Sequence, residues 1–530
     1  MDDLWPQSLP AVFPAVLPVL DSLRCGHIVE STIGKQWDNG VAHSHVLTVL
    51  LLMILDQGRM RPLSQVHAWA EQFGIEVLLG VSPAQLHDDK IGYTLDALVP
   101  VGADGEPDLS VIEGLEHQLV HEAICTYQIA TDRLHYDFTE VSFSGVYDDS
   151  ELVRRGKGPG RRQFELALNV AADSGFPVRS QTHPGATSHM RSAPGNLQAL
   201  LERLPGQSFC VLADSGAVCY DNIVAYEQAG QHFIGPRQLQ PHEQQALAAL
   251  ASGQFVLSGY TGAGGGRYWV HEQCEQLAPR HKQGTVRVRS LAVISETKRR
   301  DQQDHACRQM MALWARLEQI AGYAGSRASY RTPQYVRTMA QKALSKYAQA
   351  GRFVRIEVGS EPSLTWSVDW AGFADYRQRL GRYRLYTNLP AEQYPADEVL
   401  ALYHGRHVVE HAYRQLKSHL MIAPMHLHND NRLFALTWIY VVALMVLSLL
   451  QLLARRVGLT TRRKYPLTAR ALLAELQAVD ALARRRAGRL YATVARLPTT
   501  AQAYLDALAF PPAQAWLAVP PCDRTDISRE

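Results

Sequence analysis

A phenol, a guanidinium, a carboxylate and an ammonium group recur at helical spacing within one short segment of the sequence. These groups belong to Tyr403, Arg406, Glu410 and Lys417. The segment is predicted to form one long helix that begins at Pro395 and reaches about Leu420. At about 100° per residue, offsets of 3, 7 and 14 residues place the four side chains within a sector of roughly 60°. One face of this helix is therefore expected to carry a carboxylate, which suits a hard cation, and two positively charged side chains, which suit phosphate.

The spacing of Arg406 and Glu410 also has a purely structural explanation. Opposite charges four residues apart stabilise an exposed helix by a few tenths of a kcal/mol. An ordinary solvent-facing helix would show the same pair. The helix taken alone leaves both interpretations open.

Two further carboxylates belong to strand-like segments upstream. Residues 133–143 (RLHYDFTEVSF) alternate and are rich in β-branched and aromatic side chains, which predicts a strand that contains Asp137. Residues 208–213 form a short apolar run that ends at Asp214, which predicts a buried strand with a carboxylate at its C-terminal tip. Turn or capping roles are favoured for three other acidic residues, Asp148, Asp149 and Asp221.

These segments resemble a known family of enzymes. The spacing Y-x2-R-x3-E-x6-K matches the Y-R-E-K signature of the "insertion sequence four" superfamily of bacterial transposases, which carry an Asp-Asp-Glu (DDE) triad. Upstream, LHYDFTEVSF and FCVLADSGAVCYDN resemble the strands of the first and second Asp, and GKGPGRRQFELALNVAADSGFPV resembles the strands between them. PGATSH and LHDDKIGYTLD resemble a following turn and an N-terminal motif. Phe138 and Ser215 depart from the family pattern, but neither change removes a carboxylate.

The resemblance implies an α/β fold with a ribonuclease H-like catalytic core, in which a mixed sheet is flanked by helices. It also implies a β-rich insertion that interrupts this core, with helical N- and C-terminal regions. A chain of 530 residues is long enough for two to four domains. We predict a helical N-terminal DNA-binding and dimerisation domain (1–128), the first part of the core (129–245), the insertion (246–390), the second part of the core (391–455) and a basic helical C-terminal region (456–530).

The same resemblance assigns roles to individual residues. Asp137, Asp214 and Glu410 would be the catalytic residues and would hold two Mg²⁺ ions, for which Mn²⁺ would substitute. Two divalent ions activate a water and relieve charge on the leaving oxygen of a phosphodiester. Three converging carboxylates would otherwise repel one another. Contacts with the DNA near the cleaved end would come from Tyr403, Arg406 and Lys417.

The expected partner is double-stranded DNA, both the ends of the mobile element and the target, bound by a homodimer. The formal charge of +2 says little, but arginines concentrate between residues 451 and 496, and a second basic cluster lies within residues 154–162. Seven scattered cysteines without a C-x-x-C pair are typical of free thiols in a reducing cytoplasm. No signal peptide is recognised, and we expect a bacterial protein that acts on the nucleoid.

Residues 433–453 are apolar over a length that would also suit a membrane span. In the family such a helix follows the Glu-bearing helix and packs on the sheet, so we predict a buried core helix and no membrane association. Three other interpretations stay open: a catalytically silent or domesticated DNA-binding relative, a nuclease that does not transpose, and a membrane or structural protein.

Overall fold

The computed structural model of the chain describes residues 4–34, 40–56, 62–155, 162–185, 187–214, 218–262, 264–279, 284–461, 464–476 and 479–522. The chain divides into two compact units. The first unit consists of residues 1–217, 228–232 and 405–530, and the second of residues 218–227 and 233–404. Several residues singled out in the sequence lie outside the described residues, namely Lys157, Arg161, Ser215, Arg462 and Arg463.

The N-terminal part of the first unit is mostly helical, as predicted. Its elements are β1 (Leu4–Leu9), α1 (Phe13–Ser22), α2 (Cys25–Ile33), α3 (His43–Leu55), α4 (Val66–Gln72), α5 (Ile75–Leu79), α6 (Asp88–Leu98) and α7 (Ser110–Tyr127). The dense apolar run in α3 is buried almost throughout, which explains why it lacks a polar face. Helix α6 begins at the acidic pair Asp88 and Asp89, whose charges favour a helix N-terminus.

A mixed sheet flanked by helices forms the centre of the first unit and confirms the predicted fold class. It contains β2 (Arg133–Phe143), β3 (Arg154–Arg155), β4 (Arg162–Ala171), β5 (Pro177–Pro184) and β6 (Cys210–Ala213), and α8 (His189–Arg203) joins the last two. Strand β4 pairs antiparallel with β2 on one side and with β3 and β5 on the other. Strand β6 runs parallel to β2 and pairs with the edge of β2 that β4 does not occupy. The sheet therefore begins as antiparallel ribbons and becomes parallel where the two predicted Asp strands meet.

The second unit contains both strands and helices, with more of its residues in helices than in strands. Its elements are α9 (Tyr220–Gln228), β7 (His232–Pro236), α10 (Pro241–Ala249), β8 (Val256–Thr261), β9 (Arg267–Leu277), β10 (Val286–Ser295), α11 (Glu296–Tyr323), α12 (Pro333–Lys346), α13 (Ala348–Gly351), β11 (Val354–Val358), β12 (Leu364–Val368), α14 (Trp370–Gln378), β13 (Arg382–Thr387) and α15 (Ala396–His404). Strands β7, β13, β10, β9 and β8 follow one another in an antiparallel sheet. Segment 246–390 is more helical than predicted, because α11 extends over 28 residues and packs with α12 and the β11–β12 hairpin.

The prediction of a single helix from Pro395 to Leu420 is wrong. Helix α15 ends at His404, and α16 (His407–Arg414) begins after a break and continues into a five-residue π-helical turn at Gln415–His419. The break falls at Gly405, and glycine is the residue that disfavours a helix interior most after proline. The boundary between the two units in the sequence also falls here, since His404 belongs to the second unit and Gly405 to the first.

The apolar segment 433–453 lies within helix α17 (Asp430–Arg456), as predicted for a core helix. Among the described helices it is the one that is long and apolar enough to cross a membrane, with a mean hydropathy of 2.5. However, 89% of its most apolar window is buried inside the protein. Helices α1, α3 and α6 and strand β5 pack against it. Its uniform hydrophobicity is therefore explained by neighbours on all sides.

The prediction that residues 456–530 are helical is only partly correct. Two helices, α18 (Ala469–Glu475) and α19 (Thr499–Ala507), flank a β-hairpin made of β14 (Val479–Arg486) and β15 (Arg489–Arg496). Alanine and arginine favour helices, but the buried side chains of β14 alternate, with Val479, Ala481 and Ala483 all inaccessible. Strand β1 pairs with the outer edge of β14, so a partner far away in sequence completes a three-stranded sheet. Tertiary pairing therefore overrides helix propensity here.

Candidate active site

Asp137 and Asp214 lie at the same level on neighbouring strands. Strands β2 and β6 run parallel, with Tyr136 opposite Ala213, and each Asp is the next residue along its strand. Asp214 follows the last residue of β6, whereas Asp137 lies within β2. Polar side chains at the carboxyl ends of parallel strands converge on one edge of a sheet. The structure therefore brings together the two strand carboxylates that the sequence singled out.

The carboxylate of Asp137 is partly buried. Burial is the main cause that raises the pKa of Asp137, and the negative charge of Asp214 raises it further. The backbone N–H of Phe138, which donates to Asp137 Oδ1 at 2.9 Å, and the positive charges of Arg406 and His189 act in the opposite direction. The site therefore holds an acidic group whose charged form gains from a nearby cation.

Arg406 connects the second strand carboxylate to α16. Its Nη1 lies 3.7 Å from Asp214 Oδ1, and its Nε lies 3.9 Å from Glu410 Oε1. The side chains of Asp214 and Glu410 are 53% and 56% exposed, so both carboxylates remain accessible to solvent. Asp137, Asp214, Arg406 and Glu410 thus form one charged group at the edge of the sheet.

Tyr413 is a buried contributor that sequence reasoning missed. Its hydroxyl donates to the backbone carbonyl of Asp137, which fixes α16 to β2 beside the carboxylates. Burial raises the pKa of Tyr413 well above its ordinary value, so the phenol stays neutral and remains a donor. A signal existed, because Tyr413 lies three residues after Glu410 and four before Lys417, on the same predicted helical face.

Lys417 lies in the π-helical turn after α16, close to Glu140 of β2. Burial lowers the pKa of Lys417, and the charge of Glu140 partly offsets that effect.

Tyr403 differs from the other predicted residues, because it belongs to the second unit. Within that unit its ring packs near Tyr383 and His404, at centroid distances of 6.5 and 5.4 Å. The structure therefore groups Arg406, Glu410 and Lys417 in the first unit and separates Tyr403 from them along the chain.

Two histidines next to the carboxylates were also missed. His189 stacks on Phe138 at a centroid distance of 3.8 Å, and its Nε2 lies 3.1 Å from Oε2 of the buried Glu165. His135 points to the same side of β2 as Asp137, and burial lowers the pKa of His135 to about 4, aided by the charges of His407 and Arg406. The sequence carries no pattern for these contacts, since they join residues of different elements.

The donor atoms of this site suit a hard divalent cation, because carboxylate oxygens are the ligands that Mg²⁺ and Mn²⁺ prefer. Within the described part of the chain, no three His, Cys, Asp or Glu side chains are gathered closely enough to hold a single ion. Two of the three carboxylates contact the Arg406 guanidinium, which already supplies positive charge between them. The residues present therefore fit such an ion by the chemistry of their donor atoms.

Comparisons with known proteins give two family matches. A model described as "Transposase DDE domain" matches residues 136–446, and one described as "Domain of unknown function (DUF4277)" matches residues 11–105. Among solved structures, the piggyBac transposase in a synaptic complex with hairpin DNA, determined by cryo-electron microscopy, is similar at 8% identity and a TM-score of 0.41. That alignment covers 89% of this chain and 81% of the other, and a likeness at this level carries no functional argument. No curated protein sequence matches the chain.

Proposed function

This chain belongs to the transposase DDE family, whose model matches more than half of it, and we propose that it cuts DNA at the ends of its own mobile element and joins them to a target. Enzymes of this family are metal-dependent and cleave and transfer DNA strands. The observation that carries the proposal is the position of Asp137 and Asp214, level with each other on parallel strands, with Glu410 linked to Asp214 through one guanidinium. Such an arrangement supports phosphodiester chemistry at this edge of the sheet.

The three carboxylates are proposed to hold two Mg²⁺ ions, with Mn²⁺ as a substitute. Bound divalent ions would activate the attacking oxygen and stabilise the leaving oxygen of the phosphodiester. Asp137 would be one of the residues that hold these ions, since its strand pairs with the strand of Asp214 and its backbone carbonyl accepts the Tyr413 hydroxyl of α16. The Phe138 N–H and the Tyr413 hydroxyl hold the carboxylate and the backbone carbonyl of Asp137 in place.

Three basic or aromatic side chains are proposed to hold the cleaved end. Arg406 can make forked contacts with phosphate, and Lys417 can act as a point charge. Tyr403 is included on the strength of its spacing from Arg406 alone. Residues 1–128 are proposed to bind the terminal inverted repeats and to contribute to a homodimer that acts on nucleoid DNA in the bacterial cytoplasm.

The direct test uses the full chain and linear duplexes that end in the sequences flanking its reading frame. With Mg²⁺ or Mn²⁺ we expect cleavage at the element's end and joining of that end to a second duplex, whereas Ca²⁺ should support binding only. Mapping both products by denaturing electrophoresis checks the position of the cut and of the join. Cleavage at scattered positions without joining would favour a nuclease that does not transpose, and binding without cleavage would favour a silent relative.

A further inference from the structure

A cluster of arginines lies at the tip of the β14–β15 hairpin. The turn consists of Ala487 and Gly488, with φ of 48° and 79°, which is the pair of left-handed residues that a two-residue hairpin turn requires. Four arginines flank it, namely Arg484, Arg485, Arg486 and Arg489. The tip is exposed over residues 485–489. The chain thus concentrates positive charge at the end of a rigid ribbon.

The pairing register divides these arginines between the two faces of the ribbon. Arg484 pairs with Tyr491 and Arg486 with Arg489, so Arg484, Arg486 and Arg489 share one face. Arg485 points to the other face, which also carries the buried Ala483. Because side chains alternate along a strand, this division follows from the backbone alone.

The fold itself neutralises the arginine on the second face. Nη2 of Arg485 donates to both carboxylate oxygens of Glu76 in α5, at 3.0 and 3.1 Å. Basic residues elsewhere are also engaged within the chain: Arg154 pairs with Glu151, and Arg162 pairs with Asp148. Paired arginines of this kind are explained by the structure of the protein and need no external partner.

Arg486 and Arg489 differ from these. They lie directly opposite each other, and like charges in that position destabilise an antiparallel pair. Both are exposed, and within the described part of the chain neither forms an ion pair with a carboxylate. A bound anion would relieve this repulsion, and guanidinium groups bind phosphate in forked geometry.

We propose that Arg486 and Arg489, on one face of the exposed hairpin tip, bind the phosphate backbone of double-stranded DNA, as a contact made by residues outside the candidate active site. The inference rests on the proposed function, which supplies the DNA. Half or more of the hydrogen bonds in protein–DNA complexes are made with phosphate and sugar, and an exposed hairpin tip can place its arginines beside the phosphates. Because a phosphate contact does not depend on the base sequence, it forms with the element's ends and with unrelated DNA alike.

The test compares two variants of the full chain that differ in which face they alter. In Arg486→Gln/Arg489→Gln the proposed face loses two charges, and in the matched control Arg485→Gln the other face loses one. Fluorescence anisotropy with a labelled duplex of the element's end and one of unrelated sequence gives the affinity at several salt concentrations. For the double variant we expect binding to both duplexes to weaken about tenfold for each arginine removed. The slope of log affinity against log salt should fall by about 1 for each arginine removed.

The control decides the interpretation. Arg485→Gln should bind both duplexes as the unaltered chain does, and the double variant should melt at the same temperature or higher, because its repulsive pair is gone. An unchanged salt slope in the double variant, or an equal loss in Arg485→Gln, would overturn the inference. Loss of binding to phosphatidylserine vesicles without loss on DNA would overturn it too, in favour of an anionic membrane.

The proposed function and this inference can fail separately. If the unaltered chain cuts the element's end and the double variant binds DNA equally well, only the hairpin's role is rejected. If the unaltered chain neither binds nor cuts any duplex, the proposed function is rejected and the inference with it.

Discussion

Two groups of charged side chains around the sheet of the first unit are built in opposite ways. At the outer edge of β5, Glu116 of α7 accepts the backbone N–H of Ser180 at 2.9 Å and also its hydroxyl. The same carboxylate pairs with Arg203 of α8, which donates to the carbonyl of Val178 at 2.8 Å. The side chains of Glu116 and Arg203 are 3% and 8% exposed, so every charge in this group is enclosed with its partner.

The group around Asp137 of β2 and Asp214, which follows β6, is more open to solvent and is paired over longer distances. Asp137, Asp214 and Glu410 all interact with the guanidinium of Arg406, which lies 3.7 Å from Asp214 Oδ1 and 3.9 Å from Glu410 Oε1. Those distances exceed a normal hydrogen bond, and two of the carboxylates are more than half exposed. The first group is thus explained by stability, whereas the second retains charge for a ligand.

The largest difference between the two groups should be seen in DNA cleavage, after a carboxylate of the Asp137–Asp214–Glu410 group is neutralised. Glu410→Gln keeps the size and helix propensity of the residue but removes the charge proposed to hold a metal ion. We expect cleavage of a terminal-repeat duplex to fall by several orders of magnitude, with folding and end binding intact. Asp137→Asn and Asp214→Asn should behave alike. Any two together should cost little more than one, since groups that act as a unit are non-additive.

Single-turnover cleavage with Mg²⁺, beside binding measured with Ca²⁺, checks this expectation. Circular dichroism and thermal melting of the same variants show whether the fold is retained. Near-normal Mg²⁺-dependent cleavage by Glu410→Gln would remove that residue from the proposed metal site.

The next largest effect should be on stability and should come from the first group. Glu116→Ala leaves the buried charge of Arg203 without its carboxylate, which typically costs about 3–5 kcal/mol of unfolding free energy. On the same helix, Glu122 pairs with Arg24 at 3.4 Å with both side chains partly exposed, so Glu122→Ala should cost less than about 1 kcal/mol. Urea denaturation of the two variants measures the difference. Equal losses would show that enclosure of the Glu116 pair does not matter.

The sequence predicted the second group far better than the first. Asp137 and Asp214 could be located because each belongs to a short segment with a clear strand pattern, and Glu410 because its neighbours recur at helical spacing. Glu116 contacts Ser180 and Arg203, which are 64 and 87 residues away in the sequence. No local sequence pattern predicts such contacts. The same limitation explains the β14–β15 hairpin, whose helix-favouring residues pair with β1 from the other end of the chain.

The predicted helix across Glu410 failed for a local reason. Side-chain spacing continues across Gly405, but a glycine there allows the backbone to break between α15 and α16. Tyr403 and Arg406 therefore fall in different compact units although only three residues separate them. A periodic pattern fixes which residues could share a face only as long as the helix is continuous.

A smaller effect should distinguish Arg406 and Lys417 from the carboxylates. Both are proposed to contact phosphate, so Arg406→Ala and Lys417→Ala should each weaken end binding and cleavage by on the order of ten- to a hundredfold, the usual worth of a hydrogen bond to a charged group. Activity should also become more sensitive to salt. Single-turnover rates at several salt concentrations test this. A complete loss, equal to that of Glu410→Gln, would make Arg406 a part of the catalytic group itself.

The smallest effect concerns protonation. Burial lowers the pKa of His183, on β5, to about 4 from an ordinary value near 6.5, and the charge of Arg179 contributes. A lowered pKa means that the folded chain takes up a proton less readily than the unfolded chain, so stability is full above pH 6.5 and is lost as the pH falls towards 4. His183→Gln should therefore reduce the decline in melting temperature between those values. His27→Gln, at an exposed position, is the control, and identical slopes in both variants would contradict the prediction.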